Sequence, residues 1–267
     1  MPAEFPPPET PRSSFATPPA GRPAPVNGRA VESGRGAAWW SDGWRLFLAA
    51  PAAWIGVLVL YVLIVVGVSV VPLIGQIASG LLAPVLAAGV MVGFRDVDRH
   101  QSLRVSHLFS CFDDRLVPLL IAAAIYLACW IVLWTLAAIL VFGVAGVGLA
   151  LAMLYGDPSV LESAAFAGLG VGALVVLLLV TLISIPLMMA FWFVPALVAL
   201  RRDQPVAAMQ ASFSGSLANV LPLLVYSLIG LVLAIAASIP LGLGWLVLGP
   251  VLGGSVYASY RDIFEPA

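Results

Sequence analysis

Charge is scarce in this sequence, and lysine is absent from it altogether. Only 9% of the 267 residues are charged, whereas 62% are hydrophobic, and the mean hydropathy is +1.08. A chain of this composition has too little polar surface to cover a water-soluble body of its length. The composition therefore excludes a soluble globular protein and predicts one whose solvent is lipid.

The long hydrophobic segments contain no Asp, Glu, Arg or His. An ionisable side chain within a span normally marks an ion or proton pathway, and that sign is missing here. Titratable groups concentrate in one polar segment, where they could in principle ligate a divalent metal, but no HxxxH or HExxH spacing occurs. They are Asp96, Asp98, His100, His107, Asp113 and Asp114. We therefore expect no enzyme, no catalytic residue, no metal and no cofactor.

Cysteine is also rare, and no basic cluster of the kind that binds nucleic acid occurs. Cys111 and Cys129 form no CxxC motif, and Cys111 falls in a predicted cytoplasmic segment, where thiols stay reduced. We expect no disulfide. No basic region followed by a short apolar run opens the chain, so we also expect no cleavable signal peptide.

Six hydrophobic segments are present instead, and they predict an all-α polytopic membrane protein. Four of them have the roughly 20 apolar residues that a spanning helix needs. They are 51–71, 73–94, 217–239 and 241–260. The central pair, 116–155 and 163–200, is too long to cross a bilayer undistorted, so bent or projecting helices are expected, and eight segments are an alternative to six.

The arginines predict the orientation of these segments. All 12 basic residues are arginines, and they lie before the first segment and after the second, fourth and sixth, whereas the three intervening turns have none. Short loops rich in basic residues stay in the cytoplasm. We therefore expect both termini on the cytoplasmic side of the membrane.

An internal repeat organises the chain into three tandem helical hairpins. Sliding the sequence by 166 residues places Phe47 on Phe213, Pro84 on Pro250 and Arg95 on Arg261. A looser copy lies between these two. The predicted units are 37–100, 101–202 and 203–264. Each unit has two spans, so the repeats are parallel, which argues against transporters built from inverted repeats.

Each unit begins with a short stretch that we expect to be a helix lying in the membrane interface. These stretches are 37–47, 102–112 and 205–214. The first carries aromatic residues at helical spacing, which is typical of anchors at the lipid surface. Its candidate lipid contacts are Trp39, Trp40, Trp44 and Phe47. Entry turns that merely orient the next span are the alternative interpretation.

Small residues recur at four-residue spacing in matching helices of the first and last units. This pattern lets helices approach closely, so we interpret it as packing. The candidates are Ala83, Ala87, Gly89, Gly93, Gly249 and Gly253. At the ends of the same helices the pairs Arg95-Asp96 and Arg261-Asp262 recur. They predict an interhelical clamp, and a site for a lipid headgroup phosphate at Arg95 and Arg261 is the alternative.

Residues 1–36 have a different composition, rich in Pro and Ala. Such a segment cannot bury a core, and we expect a disordered cytoplasmic tail followed by a helical membrane domain over 37–267. Two interpretations of the tail stay open. It is either a docking segment for protein partners or a spacer.

Three motifs carry a resemblance to a known group of proteins. They are Gly43-Trp44-x-Leu46-Phe47, Phe193-x-Pro195-Ala196-Leu197-Val198, and the ending Ser259-Tyr260-Arg261-Asp262-Ile263-Phe264. Over about residues 37–264 the chain resembles a family of uncharacterised bacterial multi-pass inner-membrane proteins. More distantly it is similar to the membrane domain attached to some glycerophosphodiester phosphodiesterases, without their catalytic domain. The resemblance implies a bacterial cytoplasmic membrane and supplies no catalytic residue.

Two classes of function remain. The first is a non-enzymatic protein that organises membrane lipid or protein partners through its interfacial helices and tail. The second is a small-solute carrier or channel built from three parallel hairpins. The uncharged spans favour the first class.

Overall fold

A computed structural model describes residues 28–155 and 158–265, and within them the regular structure is helical. The short leading helices are α1 (Arg35–Leu48) and α7 (Pro205–Ala218), and a 3-10 turn at Val105–Phe109 takes the corresponding place in the middle of the chain. The long helices are α2 (Pro51–Ser69), α3 (Ile74–Asp98), α4 (Leu116–Tyr155), α5 (Pro158–Phe191), α8 (Val220–Ser238) and α9 (Trp245–Phe264). A short helix α6 (Val194–Ala196) and a π-helical turn at Leu197–Arg201 follow α5.

The protein is an all-helical membrane protein with several apolar spans. Five stretches of the described residues are long and apolar enough to cross a bilayer. They lie in α2, in α3, in α4, in the stretch from α5 through the π-helical turn, and in α8. The sixth predicted span corresponds to α9, which has 20 residues but is not among these five. Six spans and three tandem hairpins therefore stay predictions.

Helices α4 and α5, the central pair, are each continuous, whereas the sequence left open a bend in or a division of each segment. Helix α4 runs unbroken for 40 residues and α5 for 34, with Pro186 inside it. At 1.5 Å per residue, α4 is about 60 Å long, twice the thickness of a hydrocarbon core. The described residues thus contain no helix break that would favour eight segments.

Each short leading element packs mainly against a helix pair other than the pair that follows it in sequence. The 3-10 turn lies against α2 and α3, α7 lies against α4 and α5, and α1 lies against α8 and α9. The first short helix therefore contacts the last hairpin. This exchange of contacts links the chain into a closed ring of three parts.

The core of the molecule lies where α3, α6 with its π-helical turn, and α9 meet. Phe94, Phe193, Leu197 and Tyr260 are each at most 1% exposed there. By contrast, the spans of α2, α4, α5 and α8 present most of their surface outward, as expected for side chains solvated by lipid. The buried packing is concentrated at one end of the bundle.

Ordered structure begins before residue 37, which corrects the expected boundary of the tail. The backbone N–H of Arg29 donates to the carbonyl oxygen of Ile263 at 2.9 Å. Asn219, which is fully buried, accepts from the Val31 N–H at 2.8 Å and donates to the Arg29 carbonyl at 2.9 Å. These pairings satisfy the backbone of an extended segment, so residues 28–34 pack despite their composition. The rest of the predicted tail, residues 1–27, lies outside the described residues.

Candidate functional site

The charged residues of α1, α3 and α9 form one connected cluster at the end of the bundle. Asp262 accepts from Arg35 Nε at 2.6 Å and from the Trp39 indole N–H at 2.9 Å. Asp98 accepts from Arg261 Nη1 at 2.7 Å and from the Tyr257 hydroxyl at 3.3 Å. Because each carboxylate is held by side chains of a helix other than its own, the cluster fastens α1 and α3 to α9.

Arg45 stands apart from the other arginines of this cluster. Its Nη2 lies 3.6 Å from Asp42 and 4.0 Å from Asp98, beyond the usual length of a charge-assisted hydrogen bond. Its side chain is 64% exposed. Among the described residues its guanidinium makes ion pairs but donates no hydrogen bond, so its side-chain N–H groups face the surroundings.

The two recurring Arg-Asp pairs do fasten helices, but through different partners. Arg95 pairs with its neighbour Asp96 at 3.2 Å, and Asp96 in turn lies 3.1 Å from His107 Nε2 on the 3-10 turn. Arg261 instead bonds Asp98 on α3. Both guanidiniums donate hydrogen bonds to carboxylates, which favours the clamp interpretation over a phosphate site at Arg95 and Arg261.

The middle of the chain has its own pairs. Arg201 lies 3.3 Å from Asp203 and 5.9 Å from the centre of the Phe264 ring. Arg115 donates to Asp113 and to the Ala199 carbonyl at 3.2 Å. The hydrogen bonds from Arg115 hold the pKa of Asp113 well below its usual range, whereas burial raises the pKa of Asp203.

Three of the four predicted aromatic anchors are core residues, which corrects the expectation that they contact lipid. Trp39 is 0% exposed, Phe47 5% and Trp40 7%. The Trp40 indole stacks on the Tyr226 ring with centroids 4.8 Å apart and donates to the Tyr226 carbonyl at 3.0 Å. They are buried because α1 packs against α8 and α9 instead of lying free on the membrane. Only Trp44, 47% exposed, faces outward.

The predicted small residues lie at close approaches between elements. A Cβ at Gly89 would come within 2.4 Å of the Leu108 carbonyl oxygen, and one at Gly249 within 2.9 Å of Leu58. At Gly253 it would meet Phe94 at 2.8 Å, and at Gly93 it would meet Leu103 at 3.0 Å. Ala83 accepts a long contact from Tyr61, at 3.5 Å, and Ala87 lines an apolar groove.

This apolar groove lies between α2, α3 and α9. It has a volume of about 280 Å³, and Leu58, Ala87, Val90 and Gly253 are among its lining residues. Trp54 also lines it, and its ring stacks on Phe94, another lining residue, with centroids 3.8 Å apart. A second groove, of about 460 Å³, lies between α1, α8 and α9 beside Trp40 and Trp44. Both can take hydrocarbon and offer little to a polar solute.

Within the residues that the structure describes, no three His, Cys, Asp or Glu side chains come together as metal ligands. Cys111 is buried and Cys129 exposed, and both are free thiols. The polar segment 96–114 that the sequence singled out is taken up by structural pairs. The described residues thus contain two apolar grooves and a connected group of ion pairs.

Sequence reasoning missed the contacts that close the ring. Asn219, Tyr226 and Ser255 are all buried, and the Tyr226 hydroxyl lies 2.9 Å from the Ser255 hydroxyl. Hydroxyl and amide groups in or beside apolar spans usually bridge helices, which was the available signal. It did not say what these groups bond. Asn219, for example, bonds the backbone of Arg29 and Val31, which lie 190 and 188 residues away in sequence.

The comparison with known proteins agrees with membrane residence. The chain is similar to a probable inner membrane protein of Burkholderia thailandensis, with 28% identity over 243 residues, which cover 85% of this chain and 82% of that protein. No protein-family model and no solved structure matches the chain. The resemblance to the membrane domain of glycerophosphodiester phosphodiesterases therefore stays a prediction.

Proposed function

We propose that this protein is a non-enzymatic organiser of lipid in a bacterial inner membrane, built from six spans with both termini in the cytoplasm. The proposal rests on one observation. Ion pairs form a layer at one end of the bundle, and the grooves next to that layer are apolar. The charged groups hold helices together, and the grooves present hydrocarbon-compatible walls. The name of the Burkholderia relative supports the choice of membrane.

The count of six spans is supported by a parity argument. Arg29 is hydrogen-bonded to Ile263 at 2.9 Å, so both residues lie on one side of the membrane. An even number of crossings must then separate them, and five is odd. Helix α9 has 20 residues, which is long enough to cross, whereas α1 has 14.

The same reasoning applied within the chain supports three hairpins. Arg45 lies beside Asp98, with α2 and α3 between them in sequence. Arg115 donates to the Ala199 carbonyl, with α4 and α5 between them. Arg201 lies over the Phe264 ring, with α8 and α9 between them. Each contact fits a pair of crossings that returns to the same face.

Cysteine labelling in intact cells tests this topology. In a variant without Cys111 and Cys129, single cysteines at Ala30, Ser106 or Glu265 should be protected from a membrane-impermeant maleimide, and one at Leu241 should react. Leu241 is 97% exposed in the turn between α8 and α9, so access is not in question. Reaction at Glu265 would show that α9 does not return and would overturn the six-span topology.

Lipid titration and solute flux test the function. Adding phospholipid to delipidated protein should raise its Tm in proportion to the logarithm of lipid concentration, as binding to the folded state requires. Proteoliposomes that contain the protein should retain small charged and neutral dyes as well as empty vesicles do. Dye release that depends on the protein would instead favour the carrier or channel alternative.

A further inference from the structure

The walls of the groove between α2, α3 and α9 suit a single lipid chain. All three helices contribute apolar atoms. The polar groups of its two hydrogen-bonding side chains are already engaged, since the Tyr61 hydroxyl points to the Ala83 carbonyl at 3.5 Å and the Trp54 indole donates to the Leu46 carbonyl at 3.1 Å. At about 280 Å³ the groove is at the small end of ligand pockets, which suits one chain and not a bulky solute. A hydrocarbon chain therefore fits its chemistry and its size.

The size of the lining residues keeps this groove open. Ala87 stands on α3, and Gly249 and Gly253 stand on α9. Larger residues at the two glycines would run into Leu58 and Phe94. The groove also requires the closed ring, because α2 and α3 belong to the first hairpin and α9 to the last. It is thus a feature of the assembled fold and not of one hairpin.

Two lining residues of the groove link it to the ion-pair cluster. They are Trp54, whose indole donates to the carbonyl of Leu46, the residue after Arg45 in α1, and Phe94 on α3. Phe94 precedes Asp98 by one helical turn, and Asp98 lies 4.0 Å from Arg45. A chain lying between Ala87 and Phe94 would extend for about 10 Å along α3 and end below Arg45.

Arg45 supplies the complement to a headgroup. It is the arginine of the cluster whose N–H groups make no hydrogen bond within the described residues, and its side chain is 64% exposed. A planar guanidinium with free donors suits a phosphate. Its two carboxylate neighbours, Asp42 at 3.6 Å and Asp98 at 4.0 Å, orient it without occupying those donors.

We propose that the groove holds one acyl chain of a membrane phospholipid whose phosphate lies at Arg45. This proposal deepens the function proposed above by naming the lipid and its contacts. The acyl chain fits the groove by van der Waals packing, because lipid tails and the groove walls are equally apolar. The guanidinium selects a phosphate-bearing lipid over an uncharged one with the same chains.

Native mass spectrometry of the full chain tests it with two probes of equal chain composition, palmitoyl-oleoyl phosphatidylglycerol and palmitoyl-oleoyl glycerol. Ala87→Phe, which fills the groove, should weaken retention of both probes about tenfold or more. Arg45→Gln should weaken the phospholipid about tenfold and leave the uncharged lipid unchanged. Ala138→Phe, on an exposed face of α4, and Arg104→Gln, an exposed arginine outside the cluster, are the matched controls and should bind as the unmodified protein does.

Several results would overturn the proposal. Unchanged retention in Ala87→Phe would show that the groove is not the site, and equal loss in Ala138→Phe would show ordinary surface lipid. Displacement of the phospholipid by free glycerol phosphate would indicate a site for soluble phosphate. Ala87→Leu, a smaller filling, and the Tm of each variant separate loss of lipid from loss of folding. Dye flux decides the broader function independently of these readouts.

Discussion

The contact between α1 and α9 can be broken with a single methyl group. Gly43 lies so close to α9 that a Cβ there would be 2.5 Å from the Val251 carbonyl oxygen and 2.6 Å from the Ser255 amide nitrogen. Ordinary contact begins near 3.4 Å, so the two helices would have to separate by about 0.9 Å. Both obstructing atoms belong to the backbone, so no side-chain rotation relieves the clash.

The expected cost of Gly43→Ala follows from two opposing effects. Overpacking costs about 1–3 kcal/mol and more where nothing can yield, whereas replacing a helical glycine by alanine gains at most about 1 kcal/mol. We expect a net loss of about 2 kcal/mol in the free energy of unfolding. For a chain of this size that lowers the Tm by about 4–8 °C.

Thermal unfolding in mild detergent measures this effect, with Gly56→Ala as the matched control. Gly56 lies inside α2, and a Cβ there would have no neighbouring atom within 4 Å, so its replacement should leave the Tm unchanged or slightly higher. Equal Tm values for the two variants would refute the close packing of α1 on α9, and with it the closed ring.

Four further variants probe the buried polar contacts and ion pairs. Asn219→Ala should lower the free energy of unfolding by about 1 kcal/mol or more, because part-buried backbone groups of Arg29 and Val31 lose their partner. Proteolysis within residues 28–34 should accelerate, and an unchanged cleavage rate would contradict this. Trp39→Phe should destabilise the fold through the lost bond to Asp262, whereas Trp44→Phe should change the free energy by less than about 0.5 kcal/mol; similar effects at both would be inconsistent with their different burial. Asp113→Asn should lower the Tm at neutral pH, because a depressed pKa contributes stability that is fully present above the ordinary carboxyl pKa of 3.8. The deficit in Tm should shrink as the pH falls below that value, and a deficit independent of pH would count against the Arg115 pair.

The sequence predicted the helical class and the short leading elements because both depend on local pattern. Helix α1 begins at Arg35 and α7 at Pro205, within two residues of the predicted starts. The small-residue pattern pointed to positions of close approach such as Gly89. These features follow from composition and spacing along one segment, which is all that a single sequence shows directly.

The aromatic residues show where such reasoning ends. Trp39, Trp40 and Trp44 belong to the same helix and look alike in sequence, yet only Trp44 is exposed. The difference lies in what faces them, since Asp262 and Tyr226 are about 190 to 220 residues away. Local periodicity predicts that a helix has an apolar face but not whether lipid or protein covers it. Burial of Trp39 could be predicted only by knowing that the first unit packs on the last.

The closed ring also gives a reason for the one-sided charge that the sequence displays. Arginine and aspartate at the ends of α3 and α9 bind across the predicted units, so they fix how two units pack against each other. The intervening turns have no arginine, and the described spans of α2, α4 and α8 leave most of their apolar surface exposed. The arginines whose one-sided distribution predicts the orientation of the chain thus also hold its parts together. Arg45 differs because its guanidinium donates no hydrogen bond within the described residues, and it lies 4.0 Å from Asp98 on α3, one of the helices that line the groove between α2, α3 and α9.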